Sequence, residues 1–451
     1  MDTEQSAPAQ SAPAKVTLLS PAVRRRIFAY LAVLIVLVAF GDPNGGLIDI
    51  SISFLLKNKL HLPAHDLARF RLVAALPLYM AGVFGFLRDR WSPFGMKDRG
   101  FMALFGGVGA CLYLTFAFTP VSAPMLLVAV LLLTTCFLFI SSALNGLAST
   151  LGQQHAMSGR VSALWSAFAA LPGVAAFLAG GRLSDLLERQ EAGEALRWLF
   201  CAGSGVLATI ALYALWRPKA VFDQVAADPH ATHALDDLKR LARHWPIYPA
   251  LAIWLFWNFA PGAQTPLQFH IHNELHAPDR VWGEWNAIFA ASFIPPFLLY
   301  GFICRRFKLK TLLLWGTAFA VPQFVPLLFV TSATGALIAA APMGLMGGIA
   351  TAAYLDLLIR SCPQGLQGTT LMLSGGLYFI ASRFGDVLGT SLYERFGGFA
   401  VCVAMITLVY ASIFPLIWLV PRRLIATADG EEVVLKQASD DSPLSLGLRK
   451  S

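Results

Sequence analysis

Long apolar runs recur along the whole of this 451-residue chain, and they constrain its fold more than any other feature. Numbered here as spans 1 to 12, they lie near residues 27–56, 66–88, 100–119, 124–149, 161–181, 197–216, 246–273, 281–304, 311–331, 335–360, 368–391 and 398–420. Each is long enough to cross a hydrocarbon core about 30 Å thick. Because 57% of the residues are hydrophobic and only 13% are charged, the surplus apolar surface must face lipid. The sequence therefore predicts an all-α membrane protein with twelve transmembrane helices, and it excludes a soluble enzyme with one anchor.

Basic residues give the chain a net charge of +8, and they lie in short clusters between the spans. They do not line one groove-sized face, so no nucleic-acid partner is expected. With the N-terminus inside, the basic clusters all fall on the cytoplasmic side, at residues 24–26, 88–99, 217–219, 239–243, 305–310 and 422–423. The positive-inside rule selects this orientation. We expect both termini to be cytoplasmic and the location to be a bacterial inner (plasma) membrane.

The spans divide six and six around the longest internal hydrophilic connection, residues 217–245. We predict an N-terminal bundle at 22–216 and a C-terminal bundle at 246–423, with disordered cytoplasmic tails at 1–21 and 424–451. A repeat supports this division, since Gly85-Phe-Leu-Arg-Asp-Arg is echoed by Gly301-Phe-Ile-Cys-Arg-Arg after the corresponding span. Two pseudo-symmetric six-helix bundles are what an alternating-access transporter needs.

The motif Gly85-x-x-x-Asp89-Arg90, at the cytoplasmic end of span 2, resembles the loop signature of the major facilitator superfamily. The resemblance implies the major facilitator fold, with a motif that clamps the two halves in one state. An Asp at this place can face the N-terminus of a neighbouring helix. The alternative is that the charged residues only form a solvated helix end.

A narrower resemblance is to the folate-biopterin transporter family, with the muropeptide permeases of bacteria as relatives. It rests on residues 53–80, on the Arg-Asp-Arg loop with its Pro-Phe-Gly turn at 86–100, and on residues 258–276. The stretch 147–160 has no acidic residue where the resemblance would imply one. A folate-like or pterin-like cargo is what this resemblance implies.

Polar residues interrupt span 1 at Asp42, Pro43 and Asn44, and Asp49 follows one heptad after Asp42. Proline removes a backbone hydrogen bond, so the helix can open and expose carbonyls to a solute. A carboxylate in a poorly hydrated cavity can couple transport to protons. The alternative is that Asp42 caps a helix break and that Asp49 meets water near the outer end.

Span 7 repeats this design with Asn258, Pro261, Gln264 and Gln268. Amide side chains donate and accept hydrogen bonds, so they can recognise the edge of a heterocycle or a sugar. We therefore expect Asn258, Gln264 and Gln268 to contribute to substrate binding.

Span 11 carries Arg383 and Asp386, which are spaced to lie on one helix face. A guanidinium at this depth can hold a substrate carboxylate through two hydrogen bonds. Alternatively, Asp386 or Asp42 neutralises Arg383, which then serves packing alone. In span 10, Asp356 and Arg360 are spaced as an i,i+4 pair, which indicates a structural or gating bridge.

Together these residues predict a proton-coupled secondary active transporter for a small polar, anionic and heterocyclic solute. No phosphate-cradling loop is visible, which argues against direct ATP coupling. The six cysteines are scattered singly, so we expect no metal and no cofactor. The expected partners are the small-molecule substrate, protons and the lipid bilayer, and the protein is expected to be a monomer. The alternatives are a transporter of muropeptides or drugs, a non-transporting membrane receptor and a membrane-embedded enzyme.

Overall fold

The computed structural model describes residues 19–45, 48, 52, 56, 60–61, 64–189, 192–223, 234–396 and 398–431. Within these residues all regular secondary structure is helical. Seven helices of the described part are long and apolar enough to cross a membrane. The prediction of an all-α, multi-pass membrane protein is therefore confirmed.

In the first half, helices occupy each predicted span. Their bounds are Pro21–Phe40 for span 1, Ala64–Ala74, Leu76–Tyr79 and Ala81–Arg90 for span 2, then Asp98–Ala117, Ala123–Gln154, Ser158–Arg189 and Ala192–Leu215 for spans 3 to 6. Side chains define several of the helix starts. The hydroxyls of Ser20 and Ser122 accept a hydrogen bond from the third residue beyond each, at the starts of spans 1 and 4.

The connection between the halves contains the short helix Lys219–Phe222 and the linker helix Ala234–Arg243. The second half has more interruptions than the first. Its helices are Ile247–Asn258, Thr265–Phe269 and His270–Glu274 for span 7, Asp279–Ser292 and Ile294–Ile303 for span 8, Leu309–Ala320 and Val325–Phe329 for span 9, Ala333–Ser361 for span 10, Gln367–Phe396 for span 11, and Phe399–Ala411 and Ile413–Leu419 for span 12.

The breaks predicted in spans 1 and 7 are present. The first helix of span 1 stops at Phe40, and the backbone N–H of Asn44 donates to the Asp42 carboxylate at 2.9 Å in a short turn. In span 7 the helix ends at Asn258 and resumes at Thr265, with Gly262 between them at φ +109°. Discontinuous helices of this kind are typical of transporter binding sites.

The two halves meet along two seams. Span 2 packs against span 11, and span 5 packs against span 8; we call these contacts the 2/11 seam and the 5/8 seam. Both seams converge on one end of the bundle, formed by residues 88–99, 153–160, 304–309, 359–369 and 421–431. We call it the basic end, because the basic clusters of the loops lie there.

The C-terminal segment, which we define as residues 421–431, differs from the prediction at one boundary. Sequence composition assigned everything after residue 423 to a disordered tail, but Ile425 and Asp429 are buried. The Arg360 guanidinium donates to the carbonyl oxygens of Leu424 and Thr427 at 3.3 and 3.1 Å. The boundary at residue 424 is therefore too early, because contacts with distant residues order a segment whose own sequence is polar.

Candidate functional site

Asp89 lies where the first half touches the start of span 11. Its carboxylate accepts hydrogen bonds from the backbone N–H groups of Gly368 and Thr369, at 3.2 and 2.7 Å, and from the Thr369 hydroxyl at 2.6 Å. Span 11 begins at Gln367, so these N–H groups have no partner within the helix. A buried carboxylate satisfies them and also interacts favourably with the helix dipole. We call this contact the Asp89 clamp.

Arg88 neutralises the buried carboxylate. Its guanidinium pairs with Asp89 at 2.6 Å and also with Asp98, the first residue of span 3. All three side chains are largely buried, so each charge needs its partner. The guanidinium lies directly against Gly146 of span 4, where a Cβ atom would be 2.1 Å from Cζ. The Asp89 clamp is therefore held in place by two further spans of its own half.

Arg90 extends the contact to the linker helix. Its guanidinium pairs with Asp237 at 2.7 Å, and Arg240 of the same helix donates to the Gln364 carbonyl oxygen at 2.7 Å. Arg90 belongs to the first half and Gln364 to the second. The linker helix thus bridges the halves at the basic end, beside the Asp89 clamp.

Asp356 and Arg360 form the predicted i,i+4 ion pair, at 2.9 Å. Asp356 is fully buried, and the Tyr300 hydroxyl donates to its second oxygen at 2.9 Å. The pair connects span 10 with span 8 and, through Arg360, with the C-terminal segment. These contacts all lie within the second half, and they fix spans 8 and 10 to each other where this half faces span 5.

The amides of spans 1 and 7 are held near the helix breaks. The Asn44 amide donates to the Thr134 hydroxyl, and the Asn258 amide donates to the Trp254 carbonyl oxygen, both at 2.7 Å. Gln264 donates to the Ser382 hydroxyl of span 11 at 2.7 Å, while Gln268 is exposed. The amides of Asn44, Asn258 and Gln264 are therefore each oriented within their own half.

Span 11 does not contain the Arg383–Asp386 ion pair that was one of the sequence alternatives. Both Asp386 oxygens instead accept hydrogen bonds from Thr265, from its N–H at 2.9 Å and from its hydroxyl at 2.8 Å. Arg383 is exposed, and within the described part of the chain its guanidinium forms no hydrogen bond or ion pair. Asp386 thus joins span 11 to span 7 within the second half.

Several contacts at the basic end were missed by the sequence analysis. Asp98, Gly146, Arg160 and Asp429 belong to them. Asp98 lies within the recognised loop 86–100, so the loop motif was the one signal that pointed toward it. The predicted site residue Asp49 lies outside the described residues.

Two family models match parts of this chain. The model of the Major Facilitator Superfamily matches residues 154–389, and that of the BT1 family matches residues 44–199. Among curated protein sequences, no significant match was found.

Three solved structures of similar fold represent two transporters. A Major Facilitator Superfamily transporter, FucP, in the outward conformation is 16% identical, with 87% of this chain and 98% of that chain covered and a TM-score of 0.67. A variant of the E. coli fucose:proton symporter FucP has the same identity and coverage and a TM-score of 0.61. The human organic anion transporter MFSD10 is 16% identical, with 88% and 100% covered and a TM-score of 0.56.

The close contact at the 2/11 seam generates a prediction. A Cβ atom at Gly85 would be 2.4 Å from the Gly368 carbonyl oxygen, so Gly85→Ala must force the halves apart at the basic end. We expect a several-fold higher rate of maleimide labelling at a cysteine introduced for Met372, which is buried in this seam. Labelling at individual cysteines is read by peptide mass spectrometry.

Gly82→Ala is the matched control. Gly82 lies one turn away on the same helix and seam, but a Cβ atom there would be 3.5 Å from Leu373, an ordinary contact. Both substitutions gain the same helix propensity, about 1 kcal/mol. Equal labelling at residue 372 in the two variants would contradict the prediction.

Proposed function

Because the chain belongs to the Major Facilitator Superfamily, we propose that it is a secondary active transporter that moves a small polar solute by alternating access. The observation that carries the proposal is the Asp89 clamp, which holds the basic end closed through contacts that can be broken and remade. The broken helices of spans 1 and 7 carry polar groups beside the breaks, as a solute site requires. We propose a monomer without catalytic activity and without a cofactor.

The proposed cargo is an anionic heterocycle of the folate or pterin kind. Arg383 supports the anionic part, because an exposed guanidinium that pairs with no other described residue can form a bidentate pair with a carboxylate. Measured along the helix axis, Arg383 lies roughly 24 Å from the start of span 11, within the predicted membrane-crossing part. The match to the BT1 family, the folate-biopterin transporter family that the sequence resembles, supports a heterocyclic cargo. The similarity in fold to the human organic anion transporter MFSD10 supports an organic anion.

We further propose proton coupling through Asp42. It lies in the break of span 1, where its carboxylate accepts a hydrogen bond from the Asn44 N–H. Proton binding at Asp42 would change the charge that Arg383 and an anionic cargo experience. The relative named as a fucose:proton symporter supports this kind of coupling.

The proposed orientation places the basic end and both termini in the cytoplasm of a bacterial cell, in the inner membrane. It rests on the positive-inside rule. A reporter fused at residue 230 should be active inside the cell, and activity of a reporter that functions only outside would contradict this orientation.

Uptake into proteoliposomes tests transport and coupling together. We expect a pH gradient to drive accumulation of folic acid by the wild-type protein. Asp42→Asn should abolish this accumulation but retain counterflow exchange, because the amide keeps the hydrogen bonds but cannot cycle a proton. Asp66→Asn, which removes an exposed acidic residue of span 2, is the control and should behave as wild type. Unaltered accumulation by Asp42→Asn would assign coupling to another residue.

Arg383→Lys tests the anionic site. Lysine keeps the charge but loses the two-pronged geometry, so folic acid affinity should fall at least about tenfold. The affinity for biopterin, which has no carboxylate, should change little. Both affinities are measured on the purified protein by tryptophan fluorescence quenching.

Arg395→Lys is the matched control, since Arg395 is an exposed basic residue in the last turn of the same helix. It should retain wild-type affinity for both compounds. Wild-type affinity for folic acid in Arg383→Lys would end the proposal that Arg383 holds the cargo carboxylate, without affecting the assignment of alternating access.

A further inference from the structure

Asp429, in the C-terminal segment, crosses from the second half to the first. Its carboxylate accepts a hydrogen bond from the Gly159 N–H at 3.0 Å and pairs with the Arg160 guanidinium at 2.6 Å. Its own N–H donates to the Cys304 carbonyl oxygen at 2.9 Å, at the end of span 8. Burial raises the pKa of the Asp429 carboxyl above its ordinary value, although the Arg160 guanidinium acts in the opposite direction. Asp429 thus joins the end of span 8 to the start of span 5.

This arrangement has the same parts as the Asp89 clamp. Span 5 begins at Ser158 and span 11 at Gln367, and each is the fifth span of its half. In both helices the second residue is a glycine, Gly159 or Gly368, whose N–H donates to a carboxylate of the opposite half. Each seam is therefore closed by an acidic side chain at the N-terminus of a helix.

The internal repeat explains why the second acidic residue comes from elsewhere. The position of Asp89 in the first half corresponds to Arg305 in the second, which cannot accept a hydrogen bond. Cys304, whose carbonyl oxygen holds the Asp429 backbone, is the residue directly before it. The C-terminal segment thus brings a carboxylate to the place where the repeat lacks one.

The close approach of the helices is repeated as well. A Cβ atom at Gly159 would be 2.9 Å from an Asp356 carboxylate oxygen and 3.0 Å from the Cys304 Cβ atom. The 5/8 seam therefore admits only glycine at this point in the closed arrangement, as the 2/11 seam does at Gly85.

The rest of the C-terminal segment is fixed to the second half. Arg360 donates to two of its carbonyl oxygens, and the Leu309 N–H donates to the Thr427 carbonyl oxygen at 3.4 Å. Among the described residues, the hydrogen bonds from this segment to the first half are those of Asp429 with Gly159 and Arg160. When the halves separate at the basic end, these are the bonds that break.

We propose that Asp429 is a second gating residue, which closes the 5/8 seam as Asp89 closes the 2/11 seam. The inference rests on the alternating access proposed above. It gives the C-terminal segment a role in transport: Asp429 binds the start of span 5 while the basic end is closed and releases it when that end opens.

The test uses the full-length protein in nanodiscs, with no substrate, and compares maleimide labelling at two cysteines by peptide mass spectrometry. Native Cys304 lies under the C-terminal segment, and a cysteine introduced for Met372 lies in the other seam. Asp429→Asn should raise labelling several-fold at both positions, because loss of one clamp shifts the whole bundle toward the open state. Glu431→Gln is the matched control, since Glu431 accepts a hydrogen bond only from Ala428 of its own segment among the described residues.

Two results would overturn the proposal. If Asp429→Asn raised labelling at Cys304 alone, Asp429 would merely anchor its segment, and if it raised labelling at neither position, the contact would have no role in closure. Should Asp429→Asn fail to fold, Gly159→Ala decides in its place, with increased labelling at residue 372 expected. Asp89→Asn separates this proposal from the proposed function. If labelling at residues 304 and 372 did not change in that variant, the result would contradict the proposed closure of the basic end by the Asp89 clamp.

Discussion

A carboxylate from one half, held at the first N–H groups of a helix in the other half, joins the two halves at the basic end and is the contact on which the proposed mechanism depends. Asp89 makes this contact with span 11 while Arg88 and Asp98 balance its charge. Loss of one partner from such a buried group leaves an uncompensated charge and costs about 3–5 kcal/mol. The contact consists of a few hydrogen bonds, which in the proposed mechanism water would replace when the halves separate.

The remainder of the molecule places this contact and repeats it. Glycines at both seams let backbones approach closely, and the ion pair of Asp356 and Arg360 fixes the part of the second half that faces span 5. The breaks in spans 1 and 7 leave polar side chains, among them Asp42 and Gln264, beside interrupted helices. A solute bound there would act on both halves, which is how binding energy can be used to change the state of the seams.

Much of the fold could be predicted because lipid-spanning helices carry a strong apolar pattern. Span 3 was expected at 100–119 and is found at Asp98–Ala117, and the helix breaks followed from proline and glycine. The family resemblance predicted a clamp at Asp89, but it did not predict that span 11 is the partner helix. Asp429 could not be predicted, since its contact joins residues 270 apart in sequence and its surroundings read as a polar tail. The sequence did not predict that Thr265, from another helix, donates to both oxygens of Asp386, since that contact joins residues 121 apart in sequence.

The central claim, that the basic end alternates between closed and open states, is tested most directly by a distance between the halves. Spin labels at Lys97 and Lys308, which are both exposed at the basic end and belong to different halves, report it by pulsed electron paramagnetic resonance. The account predicts a short component that corresponds to the closed arrangement and a longer one, with a ratio that changes when folic acid is added or the pH is lowered. A single distance that stays the same under all these conditions would contradict it.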